Sequence, residues 1–153
     1  MLSPHRVGAG ATIASIRSAG RGLRDPGGST AVEFAIVGPV LVLILFGMIS
    51  YGGYFWMSHA LQQLTNDAAR SALAGLTSTE RSQLAQSTVT VEAPNYAFLD
   101  ASKMKVNIGG DTQSMTVSLV YDASSTPFWS LDRLVPMPSS SIQRSATIKL
   151  GGY

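Results

Sequence analysis

The stretch that decides the fold is Gly27–Gly47, GGSTAVEFAIVGPVLVLILFG. Its densest apolar part runs from Phe34 to Ile49, and no Asp, Glu, Lys or Arg occurs from Phe34 to Asn66. Extended to Met57, the apolar segment has 24 residues, or about 36 Å as an α-helix. Because the hydrocarbon core of a bilayer is about 30 Å thick, the segment predicts a membrane-spanning helix with some tilt.

Aromatic residues mark the far end of this segment. Tyr51, Tyr54 and Trp56 are amphipathic side chains of the kind that concentrate at membrane interfaces, and we predict that role for them. The alternative is a buried core helix in a soluble protein. A chain of 153 residues could hardly cover such a helix on all sides.

Charge predicts the orientation of the helix. Residues 1–28 carry four arginines and one aspartate, and we expect them to form a solvated leader without regular structure. The positive-inside rule places this leader in the cytoplasm and the C-terminal part outside. The rest of the chain has no basic patch, so no nucleic-acid partner is expected.

Catalytic and metal-binding residue types are scarce. The chain has no cysteine and only two histidines, His5 and His59. A Ser-His-Asp site or a histidine-rich metal site in the C-terminal part therefore lacks its histidine. We predict no enzyme activity, no cofactor and no metal.

Helical periodicity continues beyond the apolar segment. An apolar residue recurs every three or four positions at Leu61, Leu64, Ala68, Ala72 and Leu76. This spacing predicts one helix that continues from the bilayer to about Gly75. A second, short helix is predicted from Ser78 to near Gln86.

The period then changes to two, which predicts strands at four places: Thr88–Glu92, Lys103–Ile108, Ser114–Tyr121 and Ser141–Leu150. Gly109-Gly110-Asp111 predicts a hairpin between the second and third of these strands. Residues 126–140 contain three prolines and are predicted to form a long loop. The predicted fold class is α+β, a long N-terminal helix packed on a small antiparallel sheet of about four strands.

The predicted domains follow from these patterns. Residues 1–28 are the leader, 29–57 the transmembrane helix, 58–86 its periplasmic extension, and 87–153 the sheet domain.

The order of features around the apolar start resembles a type IV prepilin-type cleavage site, with Gly28 at the cut. More closely, it resembles the TadE-like pseudopilins of the Flp (tight adherence) pilus system. The shared features are a glycine, an Ala-Val-Glu-Phe-Ala core, a proline within the span and a later Ala-Ala-Arg: here Gly28, Ala31–Ala35, Pro39 and Ala68-Ala69-Arg70.

The resemblance implies how this chain is processed and assembled. A prepilin peptidase would cut between Gly28 and Ser29, and the new Ser29 amine of one subunit would pair with Glu33 of its neighbour. Phe34 and Pro39 belong to the same assembly segment. Ser29 differs from the N-methylated aromatic residue of type IV pilins, so methylation is not predicted.

The function implied is that of a minor pilin or pseudopilin, which primes, caps or modulates a Flp-type pilus used in surface adhesion. The expected partners are other pilin subunits, the prepilin peptidase, the inner-membrane assembly platform and the lipid bilayer. The expected location is the bacterial inner membrane, with the C-terminal domain in the periplasm or carried into the extracellular pilus.

Two alternatives stay open. A conventional signal peptide could be cut after Ala60, because small residues occupy the right offsets, and the product would be secreted. The helix could also remain as an uncleaved anchor. N-terminal sequencing separates the three cases, since it would read STAVEF, LQQLTN or the original start.

Overall fold

The computed structural model describes residues 26–151; the predicted leader lies outside them up to residue 25. The architecture is α+β, as predicted. Its elements are the helices α1 (Pro26–Ala72) and α2 (Ser78–Glu92), and the strands β1 (Met104–Gly110), β2 (Ser114–Asp122) and β3 (Ser141–Lys149). Short 3₁₀ helices occupy Ala93–Asn95, Ala101–Lys103 and Pro127–Leu131. By its contacts the chain divides into two units between Pro39 and Val40.

The C-terminal third of α1 buries the predicted apolar stripe. Leu61, Leu64, Ala68 and Ala72 are fully buried. The prediction is wrong for the fifth residue of the stripe, Leu76, because its side chain is 89% exposed. It lies beyond the end of α1, which stops at Ala72 in a turn whose amides at residues 73–75 donate to carbonyls three residues earlier.

The chain reverses at Gly75, where α2 approaches closely. A Cβ added at Gly75 would lie 2.7 Å from the backbone nitrogen of Arg81, so a side chain would collide with the second helix. In addition, the Arg81 Nε–H donates to the Gly75 carbonyl at 2.9 Å. Gly75 therefore lies in the turn between α1 and α2. The sequence placed it near the C-terminal end of the first helix, and α1 itself ends three residues earlier.

The strand predicted at Thr88–Glu92 is wrong, since these residues form the last turns of α2. The alternating threonines and valines resemble a strand, but the helix gives them other roles. Val89 is buried with Ala85 one turn earlier, whereas Val91 is 73% exposed. The hydroxyl of Thr88 donates to the carbonyl four residues before it, at 3.0 Å. Such bonds let a β-branched threonine remain in a helix.

A capping box starts α2 and favours helix over strand. The Glu80 amide donates to the Thr77 hydroxyl at 3.2 Å, and the Thr77 amide donates to the Glu80 carboxylate at 3.1 Å. This reciprocal pair satisfies two amides that the first helical turn leaves without partners. The second helix therefore continues past Gln86, its predicted end, to Glu92.

The sheet has three antiparallel strands in the order β1-β2-β3, one fewer than predicted. Met104 pairs with Tyr121 and Met115 with Ile148. The predicted hairpin is confirmed between β1 and β2. Gly110 has φ +137, a value that L side chains rarely adopt, and Asp111 Oδ1 accepts the amides of residues 113 and 114 at 2.9 and 2.6 Å.

One face of the sheet packs against the helices. Alternate residues of β2 are buried, namely Met115, Val117, Leu119 and Tyr121. They form one apolar cluster with the buried stripe of α1 and with Ala85 and Val89 of α2. The long helix therefore covers the apolar sheet face, as the sequence predicted.

Residues 78–151 are called the head below. The carboxylates in its helix cap and turns predict that its folded state loses stability in acid. Hydrogen bonds from the amides of Thr77 and Leu76 hold the pKa of Glu80 below its usual value. Bonds from the amides of residues 113 and 114 do the same for the pKa of Asp111, and the amide of Ser124 lowers the pKa of Asp122. A pKa lower in the folded state stabilises that state above the unfolded pKa, and this stabilisation disappears as pH falls through the folded pKa.

We therefore expect the thermal midpoint of the detergent-solubilised chain to be steady near neutrality and to fall from about pH 5 downward. Circular dichroism at a series of pH values measures it. The double variant Glu80→Gln, Asp111→Asn should show a flatter pH dependence than the parent. An unchanged slope would contradict the assignment to these carboxylates.

Candidate functional site

The N-terminal unit presents the predicted processing site in helical form. Helix α1 begins at Pro26, a residue well suited to a first helical position because its missing N–H would have no partner there. Gly28 is exposed, and a Cβ added to it would meet nothing within 4 Å. Gly28 and Ser29 thus lie in the first turn of α1.

The predicted assembly residues lie on the exposed surface of this unit. Glu33 is exposed, and Phe34 is 74% exposed. The Phe34 ring lies over the next turn, 3.6 Å from the position of a Cβ on Gly38. Pro39 lies inside the helix, and because proline has no N–H, the Ala35 carbonyl has no α-helical donor there. The carboxylate and the phenylalanine are therefore accessible to another molecule.

The apolar helix itself is bare. Its exposed large apolar side chains, between 45% and 74% accessible, are Phe34, Ile36, Val37, Val40, Leu41, Val42, Leu43, Ile44 and Leu45. Within the described residues, one helix is long and apolar enough, by length and composition, to cross a membrane. It is Thr30–Ala72, in which a stretch of 18 residues has a mean hydropathy of 2.5 and is 0% buried. A continuous exposed apolar surface of this size requires lipid or other apolar helices as its surroundings.

The three aromatic residues predicted for the membrane interface all contact the head. The Tyr51 hydroxyl donates to the Pro136 carbonyl at 2.6 Å. The Tyr54 ring packs edge-on against Trp129, with 6.0 Å between centroids, and Trp56 packs edge-on against Phe98 at 6.0 Å. Their interfacial role stays a prediction, and the structure adds a second role, which is to attach the head to α1.

Residues 126–140 attach the head to α1 and are called the docked loop below. A Cβ added at Gly53 would overlap the ring of Phe128, so this glycine admits the ring against the helix backbone. Closer to the N-terminus of α1, Val135 contacts the helix at Gly47. Its Cγ1 lies 4.0 Å from the position of a Cβ added to that glycine. Trp129 Nε1–H donates to the Pro138 carbonyl at 3.2 Å and closes the loop on itself.

Sequence reasoning missed this attachment. It treated residues 126–140 only as a long loop with three prolines. The feature that could have revealed it is the apolar content of the loop, unusual for a solvated connection: Phe128, Trp129, Leu131, Leu134, Val135 and Met137. A loop this apolar needs a surface to cover.

Comparison with known families supports the resemblance drawn from the sequence. The family model of TadE-like proteins matches residues 28–70, which is nearly the whole of α1. No curated protein and no solved structure matches the chain. The predicted TadE-like character is thus confirmed for this segment, and it is consistent with a pilus-associated protein.

Two adjacent glycines test the attachment of the docked loop. At Gly53 an added methyl must displace the Phe128 ring, whereas at Gly52 it meets nothing within 4 Å. We expect Gly53→Ala to destabilise the head by about 1–3 kcal/mol. Gly52→Ala should be neutral or stabilise it by up to about 1 kcal/mol, because alanine favours the helix. Thermal unfolding in detergent, followed by tryptophan fluorescence, measures both. Equal midpoints for the two variants would contradict the packing described.

Proposed function

We propose that this chain is a minor pilin or pseudopilin that primes, caps or modulates assembly of a Flp-type pilus used in surface adhesion. The observation that supports this proposal is an exposed apolar helix that lies inside the TadE-like segment and carries a single exposed carboxylate, Glu33. The proposed role is mechanical and associative. Helix α1 holds the subunit in the inner membrane, and the head adjusts the fibre.

The physics of Glu33 supports an assembly role. A carboxylate near a membrane entrance costs free energy unless it is paired, although the cost is lower near the edge than at the centre. In a single subunit Glu33 is exposed. Cleavage after Gly28 would create an ammonium group on Ser29, one helical turn from Glu33. The carboxylate of one subunit would pair with this cation on its neighbour, and a neighbour shifted along the axis would leave it unpaired.

Processing requires the first turn of α1 to open. A peptidase binds its substrate in extended form, while Gly28 is helical here. Gly27 and Gly28 each lower the stability of a helix by about 1 kcal/mol relative to alanine, and a helix end lacks half of its hydrogen bonds. Opening one glycine-rich turn at the N-terminus is therefore inexpensive and leaves the remainder of α1 helical.

Contacts in the second unit weigh against secretion after a cut at Ala60. Such a cut would remove Met57, which is fully buried in the core, and the Gly53 surface that receives Phe128. It would also break the hydrogen bond from Tyr51 to Pro136. The head depends on residues that a conventional signal peptide would take away. These contacts favour retention of the whole of α1 from Ser29 onward.

The pairing of Glu33 is tested by removing its charge. We expect Glu33→Gln to be processed and membrane-bound but to reduce the number of assembled pili, because the Ser29 amine of the neighbour loses its partner. Counting pili by electron microscopy and weighing sheared fibre protein measure the loss.

Glu92→Gln serves as the matched control, since Glu92 lies at the end of α2 in the head. Normal piliation in the control with loss in Glu33→Gln supports the register mechanism. Normal piliation in Glu33→Gln would refute it.

The cleavage site is tested at Gly28. A side chain at this position should block the peptidase, so Gly28→Asp should accumulate as a precursor that keeps the leader. Mass spectrometry of the membrane-extracted protein distinguishes the two forms. Gly109→Asp is the control, because a Cβ there also meets nothing within 4 Å, and it should be processed normally. A trimmed product starting at Ser29 in the Gly28→Asp variant would remove the assigned site.

A further inference from the structure

The docked loop meets α1 at a level that the apolar run still occupies. Val135 packs at Gly47, and the Pro136 carbonyl accepts the Tyr51 hydroxyl. Gly47 lies within the run Phe34–Ile49. The head therefore does not begin where the apolar sequence ends, and it overlaps the end of the run.

This overlap fixes where a bilayer can lie around the helix. About 20 apolar residues span the hydrocarbon core, and counting back that many from Ile49 reaches Thr30, where the apolar helix begins. A span extended to Met57 would instead submerge the docked loop, including the exposed Asp132 and Arg133, at a high cost in desolvation. A boundary near Ile49 leaves Val135, which lies beside Gly47, at the edge of the hydrocarbon.

Immediately before Val135, the loop exposes an apolar side chain and a cation in successive positions. Leu134 is 57% exposed, whereas its neighbour Val135 is buried. Arg133 is exposed, and an arginine can keep its guanidinium among lipid phosphates while its stem contacts apolar groups. The exposed carboxylate of Asp132 beside it weakens the attraction of the loop to lipid phosphates. We therefore expect the apolar contact of Leu134 to contribute more to lipid binding than the charge of Arg133.

A second exposed apolar group lies further from the membrane centre. Phe98 is 53% exposed and has φ +65, a conformation that costs free energy for a residue other than glycine. Its carbonyl accepts the Tyr121 hydroxyl at 2.8 Å, and its ring packs edge-on against Trp56 and Phe128. The fold holds this ring at the surface, beside the aromatic residues of α1.

We propose that the head rests on the bilayer, with Leu134 inserted at the boundary between lipid headgroups and hydrocarbon, Arg133 among the headgroup phosphates, and Phe98 at the outer edge of the headgroup layer. The occupant of this surface is the leaflet on the head's side of the same membrane that α1 enters, because the surface is continuous with the bare apolar helix. The inference rests on the proposed function in so far as α1 must span a membrane. It goes further by assigning a lipid-binding surface to the head.

The absence of cysteine makes the test direct. Single cysteines replace Leu134, Leu76 or Leu45 in the full chain, which is labelled with the environment-sensitive fluorophore NBD and reconstituted in vesicles of phosphatidylethanolamine and phosphatidylglycerol. All three leucines are exposed, so the label should not disturb folding, and circular dichroism checks this. Leu45 reports on the bare helix and Leu76 on the turn between α1 and α2.

Lipids carrying a nitroxide quencher at shallow or deep positions then locate each label. We expect a blue-shifted emission at Leu45 with strongest quenching by the deep nitroxide, and a blue-shifted emission at Leu134 with strongest quenching by the shallow one. The label at Leu76 should emit as in water and lose no intensity to either lipid.

The outcomes distinguish failure of the lipid contact of the head from failure of the proposed membrane span of α1. A buried label at Leu45 with a water-like label at Leu134 overturns the lipid contact of the head and leaves the membrane helix intact. A water-like label at Leu45 overturns the membrane span, and the inference with it. Equal quenching at Leu134 and Leu76 overturns the assignment of the contact to the docked loop. A label at Phe98→Cys, measured in the same way, should also be quenched most by the shallow nitroxide, and a water-like label there overturns the placement of this ring in the headgroup layer.

Discussion

The structure depends on the burial of one face of α1 beneath the head. Leu61, Leu64 and Ala68 are fully buried against the sheet, and three-stranded sheets need such a cover because a single apolar face cannot stay in water. The same helix is bare at its other end, where Val40 to Leu45 remain half exposed. One continuous element thus serves two environments, a protein core in its C-terminal part and an apolar medium in its N-terminal part.

The transition between these environments is made by small residues and aromatic rings. Gly53 admits the Phe128 ring, Val135 lies beside Gly47, and Tyr51 donates a hydrogen bond to a loop carbonyl. These contacts lie at the end of the apolar run, so the docked loop covers α1 there and, in the arrangement proposed above, would limit how much of α1 a bilayer can surround. A TadE-like segment is matched over residues 28–70, and the docked loop lies outside it, on the part of the chain for which the family model says nothing.

The proposed pairing of Glu33 and the proposed lipid contact of Leu134 rest on different interactions. An acid near the cytoplasmic entrance favours a neighbouring amine, because an unpaired charge in lipid is costly. An apolar side chain at a membrane boundary favours lipid, because its transfer from water is favourable. Within the membrane both would hold a subunit at a defined depth until assembly offers protein contacts in place of lipid.

The sequence by itself determined the long apolar helix, the acid near its start, the buried stripe from Leu61 to Ala72 and the hairpin at Gly110, since each is a local pattern with a fixed period or a required backbone angle. It misassigned Thr88–Glu92, because alternating β-branched residues look the same in a strand and in a helix whose capping box and tertiary contacts override their preference. Only the tertiary structure decided that Gly53 lies beneath Phe128 and that the docked loop reaches Gly47. Those contacts join residues about 75 to 90 positions apart, and no local pattern records which distant surface an apolar loop will cover.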